Sequence, residues 1–430
     1  MLKGILAKMV SIRFHKSCSG LRTMRHLSIA ASLVTLFAIS TTVKAQASAV
    51  PTGSNASACP RYAPGSSLIE AKDLFSKNGV LRVNLAYSTR VDEDGATSYC
   101  FMTDDGVQSP TLHVRAGDQL LITMKNALPE TLMPSTTNAE AMLMPSLPEL
   151  PWVPDVAVSG KSASCAAGLM SKAAKALGIL PSDVSTCGMQ DAVKTVVDGG
   201  EAIQYAVRFP ADAKPGMYWY YPHMHGFVEP LVQGGASGAI IVEGIEKTHR
   251  ELAGLPVRTL IVRNMMAGDG TVLQTEELSL NYVPEGTTTN APATIPIKPE
   301  QKQLWRVLNA SADTTLDLVV QYDGTSQPLQ VIGVDGAPAG ATMTPANGSR
   351  VSHILLAPAA RAEFVVTGPG VLVRDAKLLT LAVDPGMNGA LEPQRSLGKI
   401  LATPTADEPA LKVPQISEVS AETVTVAGLD

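Results

Sequence analysis

Histidine, cysteine and long apolar runs are all scarce in this sequence. Seven histidines and five cysteines are spread over 430 residues. That bounds the metal chemistry open to the chain, because imidazole and thiolate are the side chains that many transition metals select. No Gly-x-Ser-x-Gly elbow, phosphate-binding loop or dinucleotide fingerprint after a strand is present. Serine-hydrolase, nucleotide and nicotinamide chemistry therefore have no motif to rest on. The glycine-rich segment 234–238 lacks the lysine or helix start that phosphate binding requires. One stretch, 27–39, is apolar enough to consider for a membrane, and it is short for a bilayer span.

That stretch belongs to a segment with its own character. Residues 1–45 hold seven Lys/Arg and no acid, Arg22 and Arg25 precede the apolar run, and Val43-Lys44-Ala45 forms an A-x-A-like exit. The pattern predicts a secretory signal peptide over 1–45, cleaved near Ala45 or Ala47, with Met9 or Met24 as alternative starts. An uncleaved membrane anchor is the competing reading. Without those residues the chain keeps 27 Lys/Arg against 39 Asp/Glu, a net charge of −12. An acidic surface argues against nucleic acid, and after cleavage against an anionic membrane, as partner. The expected location is periplasmic or secreted. Cys18 leaves with the signal, and Cys59, Cys100, Cys165 and Cys187 remain. Four cysteines allow three pairings, of which Cys59 with Cys100 and Cys165 with Cys187 is the more local choice. None of the four has a histidine close by in sequence, which weighs against a thiolate copper ligand.

Gly (35) and Pro (30) are abundant, and short Val/Thr-rich runs alternate with turn signals. This predicts strands joined by turns rather than helices. After a mobile lead-in over 46–66, the run from Val80 to Tyr87 alternates with period two, as a half-buried strand does. Residues 111–126 read as strand, Ala-Gly-Asp turn, strand. His113 lies in that alternation without a second ligand two residues away, and is expected to be a strand histidine with no metal duty. Residues 145–190 read as an insertion with one helix, 166–177, stapled by Cys165 and Cys187. Met133, Met142, Met144, Met170 and Met189 gather in and around it. Clustered thioethers can hold Cu(I), but core and loop filling is the commoner use of Met. Residues 202–209 alternate again as a strand.

The chain is organised around Gly216-Met217-Tyr218-Trp219-Tyr220-Tyr221-Pro222-His223-Met224-His225-Gly226. An aromatic strand leads into two histidines at i and i+2, a spacing that puts two imidazoles on one face of an extended chain. The segment resembles the end of the first cupredoxin domain of the multicopper oxidases, where a Trp-Tyr-His-x-His run carries trinuclear copper ligands. Tyr221 stands where that family has its first histidine and His223 where it has the second. Thr137-Asn138-Ala139-Glu140-Ala141-Met142 falls where the family carries its first copper motif, so Glu140 and Met142 replace both histidines. Farther on, Trp305-Arg306-Val307-Leu308-Asn309-Ala310-Ser311, Asp335-Gly336 and the run around Arg361 resemble the family's second cupredoxin domain. His249 and His353 lie outside any ligand pattern.

The resemblance implies an all-β fold of two consecutive cupredoxin (plastocyanin-like) Greek-key β-sandwich domains, over 67–248 and 249–402, with the helical, disulfide-stapled insertion in the first. Residues 403–430 read as a linker-like tail in which 422–428 could start one more strand. The family's oxidase machinery takes eight histidines for its trinuclear centre, and a cysteine with two more for its blue site. Five histidines follow residue 45: His113, His223, His225, His249 and His353. The expectation is copper binding of at most one ion at His223 and His225, completed by Glu140, Met142, Tyr221 or Met224, with oxidase activity degenerate or absent. No catalytic residue is assigned. The alternatives are a non-enzymatic periplasmic binding module of cupredoxin fold and a truncated three-domain oxidase.

Overall fold

The alternation that begins at Val80 becomes a strand whose Leu81, Val83, Leu85 and Tyr87 are buried while Arg82 and Asn84 face solvent. A computed structural model describes residues 58–92, 95–128, 143–144, 156–158, 185–187, 200, 202–222, 228–268, 274–339, 350–386 and 391–415. In its first half the elements are β1 (Asp73–Phe75), β2 (Val80–Val91), β3 (Thr97–Thr103), β4 (Thr111–Val114) and β5 (Gln119–Asn126). Three short pieces follow, β6 (Leu143–Met144), β7 (Val156–Val158) and β8 (Ser185–Cys187). The half closes with β9 (Ala202–Arg208), β10 (Gly216–Pro222), helix α1 (Val228–Gln233) and β11 (Gly238–Val242). One sheet runs β3-β2-β5-β9 and the other β1-β4-β11-β10-β6. Their inner faces meet in one core: Leu85, Ile122 and Val207 from the first sheet pack with Leu112, Tyr220 and Ile240 from the second. That is a sandwich, the arrangement that buries one face of each of two sheets.

The second half repeats the plan. It comprises β12 (Val257–Gly268), β13 (Gln274–Leu280), β14 (Val283–Pro284), β15 (Ala293–Ile297), β16 (Lys302–Asn309), β17 (Leu316–Tyr322), β18 (Thr325–Ser326) and β19 (Leu329–Val334). Then come β20 (Ala337–Pro338), β21 (Arg350–Val351), β22 (Ile354–Leu356), β23 (Arg361–Thr367), β24 (Ala376–Leu381) and β25 (Arg395–Ala402). One sheet is β14-β13-β12-β16-β23-β19-β20 with β21 on β19. The other is β15-β25-β24-β17-β18 with β22 on β17. Leu260, Trp305 and Phe364 of the first pack on Ile295, Leu318 and Leu378 of the second.

The two sandwiches share a third apolar cluster, in which Met217 and Trp219 of β10 meet Ile261, Leu308 and Ala310. Gly336 helps set that approach. It lies at φ +78°, and a Cβ there would sit 2.5 Å from the Tyr218 ring, whose hydroxyl donates to the Gly336 carbonyl at 2.9 Å. The described end of the lead-in is tied down. Cys59 is bonded to Cys100 of β3, and the Tyr62, Gly65 and Leu68 amides donate to Tyr282, Ala291 and Thr294 carbonyls. The described part of the tail also docks: Val413 is buried with Val257 and Leu304, and the Val257 amide donates to the Leu411 carbonyl. The expected helix at 166–177, the Cys165–Cys187 pairing and the strand at 422–428 lie outside the described residues. Among the described residues no helix is long and apolar enough to cross a membrane.

Candidate metal site and its surroundings

Strand β10 carries the aromatic run, and its two faces do different work. Tyr218 and Tyr220 enter the first sandwich core, where the Tyr220 hydroxyl donates to the Pro110 carbonyl at 2.8 Å. Met217 and Trp219 face the second sandwich. The Tyr221 ring, partly buried against the same cluster, stacks on Trp219 with centroids 4.1 Å apart and planes at 22°. In the sheet, Tyr221 is registered with Met144 of β6, across an antiparallel pair. The strand ends at Pro222. His223, Met224 and His225 follow directly in the chain and lie outside the described residues, as do Glu140 and Met142. The backbone register thus brings the end of β10 beside a segment that starts one residue after Met142.

The three described histidines are held by carboxylates. His113 of β4 is buried, with Nδ1 2.5 Å from Glu243 Oε1 and Nε2 2.8 Å from Asp73 Oδ1. Its ring stacks on Phe75, centroids 4.4 Å apart. Burial by itself pushes its pKa down, but the hydrogen bonds to Asp73 and Glu243 and their charges outweigh that and hold the pKa above the ordinary histidine value. For Glu243, burial pushes upward, and the His113 hydrogen bond with the nearby Arg306, His113 and Arg115 charges leaves the carboxyl below its ordinary value. An imidazole that donates through both nitrogens has no lone pair left for a metal. The expectation of a strand histidine without ligand duty agrees with this placement. His249 Nδ1 lies 3.2 Å from Glu251, and His353 Nδ1 lies 2.6 Å from Asp317. Among the described residues no three His, Cys, Asp or Glu side chains come together as a metal-holding group. Cys59 and Cys100 are spent on each other. The described residues therefore do not fit a multicopper donor set.

Asp73 and Glu243, which sequence reasoning did not single out, stand 40 and 130 residues from His113. Parallel pairing joins them: His113 is registered with Phe75 of β1 on one side and Ile241 of β11 on the other. No local spacing announces such a triplet.

The residues that resemble second-domain motifs turn out to be builders of the joint and its turns. Asn309 Nδ2 reaches the carbonyls of Thr314, Leu356 and Ala357 at 2.9–3.1 Å, and its Oδ1 accepts from the Ser311 hydroxyl at 2.7 Å. Arg306 faces Glu363 at 2.9 Å, both buried. Arg361 donates to the Ala359 carbonyl and to the Met217 carbonyl of β10, with Asp335 at 3.6 Å. A cavity of about 230 Å³ lies beside the joint, lined by residues of both halves including Tyr62, Glu70, Gln108, Arg263 and Tyr282.

Comparison with solved structures places this architecture. The multicopper oxidase McoA from the hyperthermophile Aquifex aeolicus superposes with a TM-score of 0.53 at 16% identity, over 84% of this chain and 70% of that one. Its 2F4 variant gives 0.54 at 17%, over 81% and 68%. A multicopper oxidase from Campylobacter jejuni, described as a metallo-oxidase, gives 0.50 at 16%, over 81% and 64%. At such identities the likeness establishes the fold. This chain is an all-β protein with the multicopper-oxidase architecture of cupredoxin sandwiches. No protein-family model matches it, and no curated protein matches it in sequence.

Proposed function

We propose that this is an exported, multicopper-oxidase-like protein that binds a single copper ion at His223 and His225 and does not run the oxidase reaction. The observation that carries the reading is the occupation of the other imidazoles. His113 is engaged through both nitrogens, and His249 and His353 each face a carboxylate. Neither His249 nor His353 stands in a group of potential metal ligands among the described residues, and of the five histidines that follow residue 45 His223 and His225 form the one pair at ligand spacing. A stable Cu(II) site takes three or four ligands, and Tyr221, Met224, Glu140 and Met142 are the residues whose side-chain chemistry could complete one. Electron uptake at a blue site needs a thiolate next to histidines, and the Cys59–Cys100 bond withdraws two of the four cysteines. The same bond supports export, since such bridges persist in oxidising compartments, and so does the basic, then apolar, N-terminal segment.

Copper-loaded, purified protein is expected to show no intense blue band, to leave phenols unoxidised, and to take up about one Cu(II) per chain by calorimetry. His223→Ala should weaken that uptake at least roughly tenfold, since losing even an outer-shell partner of a ligand costs that much. An intense blue band from the isolated chain, or uptake unchanged by His223→Ala and His225→Ala together, overturns the reading. A second reading, a non-enzymatic binding module, is favoured by the cavity at the joint. It prevails if no copper binding is detected.

A further inference from the structure

Four arginines are buried among the described residues: Arg258, Arg263, Arg306 and Arg361. Three have a carboxylate close by, Arg258 with Glu70 at 2.8 Å, Arg306 with Glu363 at 2.9 Å and Arg361 with Asp335 at 3.6 Å. Arg263 has none. Its Nε donates to Ser237 Oγ at 2.8 Å and its Nη2 to the Ser237 carbonyl at 2.9 Å. Its guanidinium carbon lies 3.9 Å from the centre of the Tyr282 ring. These contacts are neutral, and no described residue accepts from Nη1. Burial pushes the pKa of this guanidinium down, the direction in which an uncompensated buried cation moves. Buried charge is costly unless it is paired, and Arg263, 1% exposed, lines the 230 Å³ cavity.

The cavity wall supplies no anion to balance it. Glu70 also lines the space, but its two oxygens are taken by Arg258 Nη1 at 2.8 Å and the Thr259 amide at 3.0 Å. Lys72, at the rim, is held by Asp105 at 2.6 Å. The rest of the wall is mainly apolar and aromatic, with Ile69, Val107, Ile261 and Tyr62, and the Asn281 amide on it is spent on the Ile261 N–H and the Thr259 carbonyl. One acceptor on it is unmet: Gln108 Oε1 is shielded from solvent and receives no hydrogen bond. A concave, largely apolar space at a joint between two domains, with a few converging polar groups, is where small ligands usually bind.

We propose that this cavity binds a small organic carboxylate that also carries a hydroxyl, with the carboxylate against the Arg263 guanidinium and the hydroxyl donating to Gln108. The guanidinium fork matches a carboxylate in geometry and charge. The apolar wall favours an organic anion over a hydrated inorganic one, and the volume limits it to a molecule about the size of a hydroxybenzoate. The described lining of this cavity does not include His223 or His225, and its occupation does not require copper.

The test is calorimetry on the full chain, stripped of metal with EDTA, in a low-salt buffer free of carboxylates, titrated with lactate and with 4-hydroxybenzoate. One site per chain is expected for at least one of the two. Arg263→Met should weaken it at least tenfold. Val107→Phe, which adds bulk at another residue of the wall and leaves Arg263 unsubstituted, should abolish it. Gln108→Leu should lower affinity for 4-hydroxybenzoate more than for benzoate. Absence of binding by both probes to the unmodified chain overturns the proposal, as does Val107→Phe protein that binds as well as the parent. If Arg263→Met does not fold, the Val107→Phe result decides. The copper titration is a separate experiment, so failure here leaves the copper reading as it was.

Discussion

Replacing His113 with leucine is the sharpest probe of the first sandwich. The imidazole is fully buried and bridges Asp73 and Glu243, whose side chains are 26% and 15% exposed. Removing one partner of a buried ion pair costs about 3–5 kcal/mol, because the other charge is left uncompensated. Asp73 retains some contact with water and Glu243 keeps Arg306 and Arg115 nearby, so the loss should fall near the low end, about 3 kcal/mol. The same group sets a pH dependence. Its folded pKa lies above the ordinary histidine value, held there by Asp73 and Glu243 against the opposing effect of burial. The stabilisation is therefore complete below the unfolded value of about 6.5 and is lost as pH rises through the higher folded value. Glu243 works on the acid side. Its lowered pKa stabilises the fold above the unfolded value of about 4.3, and that contribution is lost as pH falls through the folded value. Denaturant midpoints measured from pH 6 to pH 9 should fall for the parent protein and change less for His113→Leu. Parallel curves for the two would show that His113 is not the charged bridge the geometry describes, and the reasoning about its lost lone pairs would go with it.

Two further outcomes are accessible to the same assay. Asn309→Ala should cost about 2–3 kcal/mol, since it strips a buried side chain that serves three carbonyls and the Ser311 hydroxyl. A cost under about 0.5 kcal/mol would mean that those carbonyls find other partners. Opening the Cys59–Cys100 bond, with a sequence separation of 41, should destabilise by about 4 kcal/mol on the loop-entropy relation. The Cys59→Ser/Cys100→Ser double variant tests this, and an unchanged midpoint would show that backbone hydrogen bonds alone hold the 58–68 segment in place.

What could be read from the order of residues was the local content. The alternation at 80–87 and at 202–209, and the turn chemistry between them, depend only on neighbours along the chain, and both runs are strands. The Trp305 to Ser311 run and Asp335-Gly336 marked the second sandwich only through their family resemblance, and their side chains are held by partners far along the chain, Asn309 by the Leu356 and Ala357 carbonyls and Asp335 by the Arg361 amide. The turn at 116–118 shows where this legibility stops. It separates two strands as expected, but β4 and β5 belong to opposite sheets, so it is a corner and not a hairpin. A turn signal carries no information about which sheet receives the next strand.

Tertiary structure alone decided the rest. It chose the carboxylates that hold His113, joined by parallel strands that no short-range spacing can register. It also turned Met217 and Trp219 of β10 toward a second sandwich, and left Arg263 buried beside a cavity with no counter-charge among the described residues. Composition limited how many metal ligands this chain could offer. That His113 was already committed elsewhere depended on contacts across 40 and 130 residues, and only the folded chain brings those groups together.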